Sequence, residues 1–266
     1  EGLGINVNSI NPHDPSIYAA LSCLESPQGL FQIEADTNFK VCQQIAPRNL
    51  EQLSAVVAIA RPGALDFKDD YATYVRTGEF QSQSEFFDDV LSYTGGIPLY
   101  QEQLMKMAVK VGFTLDEAEQ LRRIVGKKKV DKMPEWKEKI SNKVIESNLD
   151  PSIADILWKV AEDSANYSFN KSHSISYAYL AAITVYLKFK YPQEFFLSLL
   201  KFAKFEPNSH DEISKVSQEL PNFDIKLLPP DLNKSDIDFK IEGKDIRYGL
   251  NSIKGVSEKV LIHLLE

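Results

Sequence analysis

Helix-length segments recur along this 266-residue chain, and they constrain its fold more than any other feature. Residues 49–60, 100–111 and 174–190 each predict a helix, because their apolar side chains follow helical spacing. Pro62 and Pro192 follow two of these segments, and a proline ends a helix because it lacks a backbone donor. The pattern predicts a mainly α fold.

Strand patterns are short and confined to two places. Residues 29–34 (GLFQIE) alternate like a strand, and residues 238–250 (DFKIEGKDIRYGL) predict a β-hairpin around Gly243 and Lys244. A polar, turn-like stretch follows Phe205. We therefore expect two domains, 1–205 and 206–266, and a mainly α fold with a minor β-hairpin near the C-terminus.

Composition and the length of the apolar runs predict a soluble globular protein that does not span a membrane. The charged fraction of 26% is typical of a soluble globular protein. The longest apolar run, YAYLAAITVYL, is shorter than the roughly 20 residues of a membrane span.

Cys23 and Cys42 have no Cys or His cluster around them, which predicts core residues in a reducing compartment. The chain begins without Met, as if cut from something longer.

A dense basic block stands out in a chain whose net charge is -8. Residues 121–129 (LRRIVGKKK) hold five cations in nine residues. They end a helix that a capping box, Thr114 with Glu117, predicts to start at residue 114, and Gly126 is placed just after its end. Basic residues interact favourably with the dipole at a helix C-terminus. Solvent-exposed charges at the end of this helix are therefore one explanation of the basic block. An anion site is the other, because Arg and Lys suit phosphate oxygens.

A second polar segment, FNKSHS, precedes the apolar helix predicted from residue 174. One interpretation of His173 is a local hydrogen bond beside the helix start. The other is a loop that presents residues 170–173 to a phosphate or a sugar. The sequence has no Walker A loop and no Rossmann fingerprint, and its carboxylates and histidines form no evident metal or catalytic set. The chain thus carries residues suited to binding anions but no evident set of catalytic residues.

Several stretches in order resemble one family. They are GLFQIEA, AIARPGAL, YTGGIPLYQEQLMKMA, GFTLDEAEQLRRIVGKKK, YSFNKSHSISYAYLAAITVYLKFKYPQEFF, LLPPDLNKS and IRYGLNSIKGV. Together they resemble the fingers region of the bacterial DNA polymerase III α subunit, the C-family replicative polymerases, over nearly the whole chain. The resemblance implies a fragment of a DNA-directed DNA polymerase that binds deoxynucleoside triphosphate (dNTP) and primer–template DNA.

The resemblance also implies roles for individual residues. The residues YQEQ at 100–103 are expected to support the nucleotide pocket. Lys129, Lys254 and Gly255 are expected to contact DNA, the last two at the start of a helix-hairpin-helix element in which Ser257 replaces the usual second Gly. The residues expected to contact the nucleotide are Arg61, Arg122, Arg123, Lys127, Lys128, Asn170, Lys171, Ser172 and His173.

Other features implied by the resemblance lie mostly outside this chain. Two Mg²⁺ ions would be held by palm aspartates, and Glu1 stands near the position of the third. The isolated chain is therefore expected not to polymerise DNA. Implied partners are the sliding clamp and other replicase subunits in the cytoplasm, with no membrane. The alternatives are a stand-alone nucleic-acid-binding module derived from polymerase fingers, and a helical protein whose basic block meets an acidic partner.

Overall fold

The chain forms two compact units. The computed structural model describes residues 3–127 and 130–265, so the predictions for Glu1, Lys128 and Lys129 lie outside the described residues. The larger unit is built from residues 12–23 and 31–182, and the smaller from 1–11, 24–30 and 183–266. The division falls inside one long helix, α10. The domain boundary predicted at residue 205 stays a prediction.

The larger unit is built mainly from helices joined by turns and short irregular segments. None of the described helices is both long and apolar enough to cross a bilayer. The helices are α1 (Pro15–Ser22), α2 (Asp36–Ile45), α3 (Leu50–Ile59), α4 (Lys68–Thr77), α5 (Asp88–Leu91), α6 (Gln101–Val111), α7 (Leu115–Gly126), α8 (Met133–Glu146), α9 (Ser152–Tyr167) and, as far as residue 182, α10 (Lys171–Lys190).

Side-chain caps fix several helix starts where the sequence predicts them. The Asn49 side chain accepts a hydrogen bond from the Gln52 amide and begins α3. Thr114 and Glu117 form the predicted capping box at the start of α7. Such caps satisfy amides that have no partner inside the helix. The end of α7 differs from the prediction, because Gly126 is its last helical residue and does not follow the helix.

The polar segment before residue 174 is not a loop. α10 begins at Lys171, so Ser172 and His173 lie in its first turn. The reason is Asn170, whose side-chain oxygen accepts a hydrogen bond from the His173 amide at 2.9 Å. The capping residue lies three positions earlier than the apolar pattern alone indicates, because N-caps and first turns are polar.

Helices α6–α9 enclose the main core of the larger unit. Amphipathic helices bury one apolar stripe each, and burial contributes roughly 25 cal/mol per Å² of apolar surface. Ring contacts join Phe113 to Trp136 at 5.8 Å between centroids. The fully or nearly fully buried residues of this core include Leu104, Met107, Val111, Leu121, Val125, Trp136, Ile140, Val144 and Leu157.

The smaller unit combines helices with a three-stranded sheet of order β1-β3-β2. β2 and β3 are antiparallel and form the predicted hairpin, whose turn contains Gly243 at a positive φ of 63°. β1 pairs in parallel with β3, Leu227 opposite Ile246, which the sequence did not indicate. The elements are α11 (Pro192–Phe202), α12 (Ser209–Glu219), β1 (Leu227–Leu228), β2 (Lys240–Glu242), β3 (Asp245–Arg247) and α13 (Glu258–Leu265), with the end of α10.

The strand predicted at residues 29–34 is wrong. This segment forms turns. Gly29 and Gln32 have φ of 77° and 62°, and a positive φ is incompatible with an extended strand. The apolar residues in the stretch, Leu30 and Ile33, are nevertheless fully buried. The strand-like sequence pattern therefore reflects which side chains are buried, although the backbone does not form a strand.

A buried ion pair lies in the core of the smaller unit. The Lys188 ammonium lies 2.8 Å from a Glu219 carboxylate oxygen, and their side chains are 0% and 7% exposed. Lys188 also donates to the carbonyl oxygens of Ser26 and Gln28, at 3.0 and 2.8 Å. The second Glu219 oxygen accepts from the Gln28 amide at 2.9 Å. The pair thereby holds residues 24–30 in the smaller unit.

Candidate functional site

The N-terminus of α6 organises the candidate site within the larger unit. The Gln101 amide donates to the Phe169 carbonyl at 2.9 Å, and the Phe169 amide donates to the Leu99 carbonyl at 3.0 Å. These bonds place the start of α6 beside the segment that leads into α10. Two sequence-predicted segments, 100–103 and 169–173, are therefore brought together although nearly seventy residues separate them.

Glu102 joins these two segments through its side chain. One carboxylate oxygen accepts from the Asn170 amide group at 3.0 Å, and the other accepts from the Lys171 backbone amide at 2.9 Å. The Lys171 ammonium then lies 3.4 Å from Glu51 and 4.5 Å from the centroid of the Tyr93 ring. A carboxylate at a helix N-terminus also interacts favourably with the helix dipole. Contacts with residues outside α10 thus hold the first turn of this helix in place.

Arg61 packs against the ring of Phe169. Its guanidinium carbon is 4.0 Å from the Phe169 ring centroid, and the group donates to the carbonyls of Ala58 and Tyr167 at 3.0 and 2.7 Å. Burial lowers the pKa of Arg61 from its usual value. The His173 ring packs against the same Phe169 ring, with centroids 5.4 Å apart. Phe169, which opens the FNKSHS segment but was not among the residues predicted to contact the nucleotide, therefore contacts two predicted site residues.

Arg122 and Arg123 lie on the outer face of α7. The helix buries Ala118, Leu121 and Val125, so the residues between them are left at the surface. The side chains of Arg122 and Arg123 are 30% and 66% exposed. Arg122 also donates to the Gln101 side-chain oxygen at 3.3 Å, which links α7 to the start of α6. Two adjacent guanidinium groups thus lie beside the segments already described.

Glu119 accepts hydrogen bonds from both arginines. Its two oxygens receive Nε and Nη2 of Arg122 at 2.7 and 2.5 Å, and one of them also receives Nε of Arg123 at 2.8 Å. The hydrogen bonds from Arg122 and then Arg123 lower the pKa of Glu119 to about 2. The sequence analysis missed Glu119, although acidic residues three and four positions before a basic residue on a helix are expected to pair with it.

The side chains of the remaining predicted site residues make no described contact with this cluster. Lys127 is exposed immediately after α7. Lys254 and Gly255 belong to the smaller unit, where Gly255 has a φ of 87° in an open turn. Among the described residues, no group of three or more His, Cys, Asp or Glu side chains is placed to hold a metal ion. The described residues therefore do not fit a centre that holds two metal ions, and no metal-dependent step is assigned to them.

Similarity to known proteins covers most of the chain. A model of the bacterial DNA polymerase III alpha subunit finger domain matches residues 1–148, and a helix-hairpin-helix model matches residues 224–266. The DNA polymerase III subunit alpha of Thermus aquaticus is 34% identical across 100% of the chain, and that of Aquifex aeolicus (strain VF5) is 35% identical across 100%. The chain spans only 22% and 23% of the lengths of these relatives.

Proposed function

The chain belongs to the family of bacterial DNA polymerase III alpha subunits, and we propose that it is the fingers region of such a polymerase, which binds the incoming dNTP and primer–template DNA. The protein that contains it would be a DNA-directed DNA polymerase. The observation that carries the proposal is the cluster of Arg122, Arg123 and the first turn of α10 around the start of α6. Polymerisation transfers a nucleotidyl group, and the charge of the triphosphate must be neutralised for that reaction.

The two arginines are the proposed centre of triphosphate binding. A guanidinium presents parallel N–H groups that match two phosphate oxygens. Glu119 accepts from Nε of both arginines and from Nη2 of Arg122, and Gln101 accepts from Nη1 of Arg122, but each outer nitrogen carries a second N–H group that remains for a ligand. Arg61, Lys127, Lys128 and residues 170–173 are proposed as further nucleotide contacts from the family resemblance. Two carbonyls and an aromatic ring hold Arg61 in place.

DNA contacts are proposed for the smaller unit and for Lys129. Lys254 and Gly255 lie at a turn within the helix-hairpin-helix match, and backbone amides at such a turn can face phosphates. Lys129 is proposed as a DNA contact from the resemblance. Two Mg²⁺ ions, a sliding clamp and other replicase subunits would act through parts of the cytoplasmic polymerase outside this chain. The isolated chain is expected to bind without polymerising.

Calorimetry of dNTP binding tests the proposed clamp. The titration uses the 266-residue chain with Mg²⁺, with and without primer–template DNA. We expect Arg122→Ala/Arg123→Ala to weaken dNTP binding by at least about tenfold, since one hydrogen bond to a charged group contributes about 1.5–3 kcal/mol. Arg48→Ala/Arg76→Ala removes the same charge from exposed arginines of the same unit and is the matched control.

Three results would contradict the assignment. Unchanged dNTP affinity in the Arg122/Arg123 variant, with its helical circular dichroism intact, would place the nucleotide elsewhere. Binding of DNA with steep salt dependence but no dNTP binding would instead favour a nucleic-acid-binding module. An equal loss in the control variant would show that only the general charge of the unit matters.

A further inference from the structure

Glu119 occupies part of the surface that the proposed clamp offers to phosphate. Its carboxylate receives the Nε and Nη2 edge of Arg122 and Nε of Arg123, all within 2.8 Å. A carboxylate and a phosphate present similar pairs of oxygens to a guanidinium. Glu119 therefore takes the place on these edges that a bound phosphate would take. Its low pKa keeps it ionised at neutral pH.

Glu119 can influence phosphate binding in two opposite ways. As a neighbour on the helix it orients the two guanidinium groups, and such exposed pairs change an equilibrium only about twofold. As a negative charge it repels the ligand. A phosphate bound to the outer edge of either arginine would lie roughly 7 Å from the Glu119 carboxylate, where like charges near a protein surface change a dissociation constant on the order of tenfold. Repulsion therefore outweighs orientation.

We propose that Glu119 is a resident counter-anion of Arg122 and Arg123 that weakens their hold on polyphosphate, so that the pair binds such ligands reversibly and releases them. This inference rests on the proposed function, in which the two arginines contact the triphosphate. Two guanidinium groups and one carboxylate leave the cluster with one net positive charge, and its attraction grows with the charge of the ligand, so polyphosphates are still held more strongly than singly charged phosphodiesters. The same repulsion by Glu119 favours release of the pyrophosphate that nucleotidyl transfer produces.

The test measures inorganic tripolyphosphate binding to the 266-residue chain by calorimetry. We expect Glu119→Gln to bind tripolyphosphate about tenfold more tightly than the wild type. Glu119→Asp, which keeps the charge, is expected to remain close to the wild type. The matched control is Glu135→Gln, which removes one charge from another exposed intrahelical pair, Glu135 with Lys139 at 2.8 Å, and is expected to leave the affinity unchanged.

A double-mutant comparison separates this inference from the proposed function. In the Arg122→Ala/Arg123→Ala background, Glu119→Gln is expected to have no effect, because the gain acts through the arginines. A Glu119→Gln variant that binds as the wild type does, or more weakly, overturns the counter-anion role while leaving the clamp intact. A gain that persists without the arginines also overturns it. If the arginine double variant binds tripolyphosphate as well as the wild type, the proposed clamp itself fails.

Discussion

The pH at which Glu119 loses its charge is a direct readout of its ion pairs. Hydrogen bonds from Arg122 and Arg123 lower its pKa to about 2 in the folded chain, whereas an unfolded Glu titrates near about 4.3. A carboxyl group with a depressed folded-state pKa stabilises the fold above its unfolded pKa, and this contribution is lost as pH falls through the folded pKa. Glu119 thus contributes fully near neutral pH and progressively less between roughly pH 4.5 and 2.

We expect Glu119→Gln to lose this pH-dependent contribution. Urea denaturation at several pH values should show that the free energy of unfolding falls less steeply below about pH 4.5 in the variant than in the wild type. Carbon NMR of the wild-type side chain gives an independent readout, since the Glu119 carboxyl should not titrate while the chain remains folded above about pH 3. A midpoint near 4.3 would show that the ion pairs are not formed in solution.

The residues of the candidate site differ in how far the sequence alone could predict them. Arg122 and Arg123 stand out because charge is dense around them. Glu119 follows from its spacing on the same helix, three and four residues before them. The bonds from Glu102 to Asn170 and Lys171 join residues 68 and 69 positions apart. No local pattern indicates such contacts, because they depend on how α6 and α10 pack.

Gln103 stabilises the start of α6 from inside the core. Its side chain is fully buried. Its oxygen accepts from the Tyr100 amide at 2.9 Å, and its nitrogen donates to the Thr94 hydroxyl at 2.7 Å and the Val90 carbonyl at 3.3 Å. One glutamine thus fixes the helix end that carries Gln101 and Glu102. A similarly sized apolar residue would remove all three bonds and leave the Tyr100 amide without this acceptor.

We expect Gln103→Leu to reduce the free energy of unfolding by about 2–3 kcal/mol, because a buried donor without a partner costs about 1–3 kcal/mol. Thermal or urea denaturation measures the loss. Gln120→Leu is the control, since Gln120 is exposed on α7 and surface substitutions usually change stability by less than about 0.5 kcal/mol. Equal stabilities of the two variants would show that the buried network contributes nothing measurable.

Helices were predicted better than strands for a physical reason. Helix periodicity and caps are local, so Asn49, Thr114 and Glu117 identify their helix starts directly. The strand predicted at 29–34 failed because alternation records burial, not backbone conformation. β1 has only two residues, Leu227 and Leu228, and exists because β3 lies beside it. Its partner cannot be inferred from two apolar residues.

The smaller unit is assembled from segments that are far apart in the sequence, and one buried lysine joins them. Lys188 binds Ser26 and Gln28, more than 150 positions away, and Glu219, 31 positions away. The sequence around Lys188 is apolar and predicts a buried helix face, but it gives no sign of the lysine's partners. Because the side chains of Lys188 and Glu219 are both buried, removing one of them leaves the charge of the other without its counter-ion.

We expect Lys188→Met to destabilise the smaller unit by about 3–5 kcal/mol, because it leaves the Glu219 carboxylate buried without its counter-ion. Both tryptophans, Trp136 and Trp158, lie in the larger unit, so fluorescence would not report this loss. Amide hydrogen exchange in α11 and α12 would, as faster exchange in the variant.

The control and a second variant identify the cause of that loss. Lys204→Met breaks a pair of the same unit whose side chains are 42% and 40% exposed, and exposed pairs contribute at most about 1 kcal/mol. Adding Glu219→Gln to Lys188→Met removes the unpaired charge and should restore part of the protection. If Lys188→Met exchanged no faster than Lys204→Met, the buried pair would not be what holds residues 24–30 in the smaller unit. If the double variant recovered nothing, the lost bonds to the carbonyls of Ser26 and Gln28 would outweigh the unpaired charge.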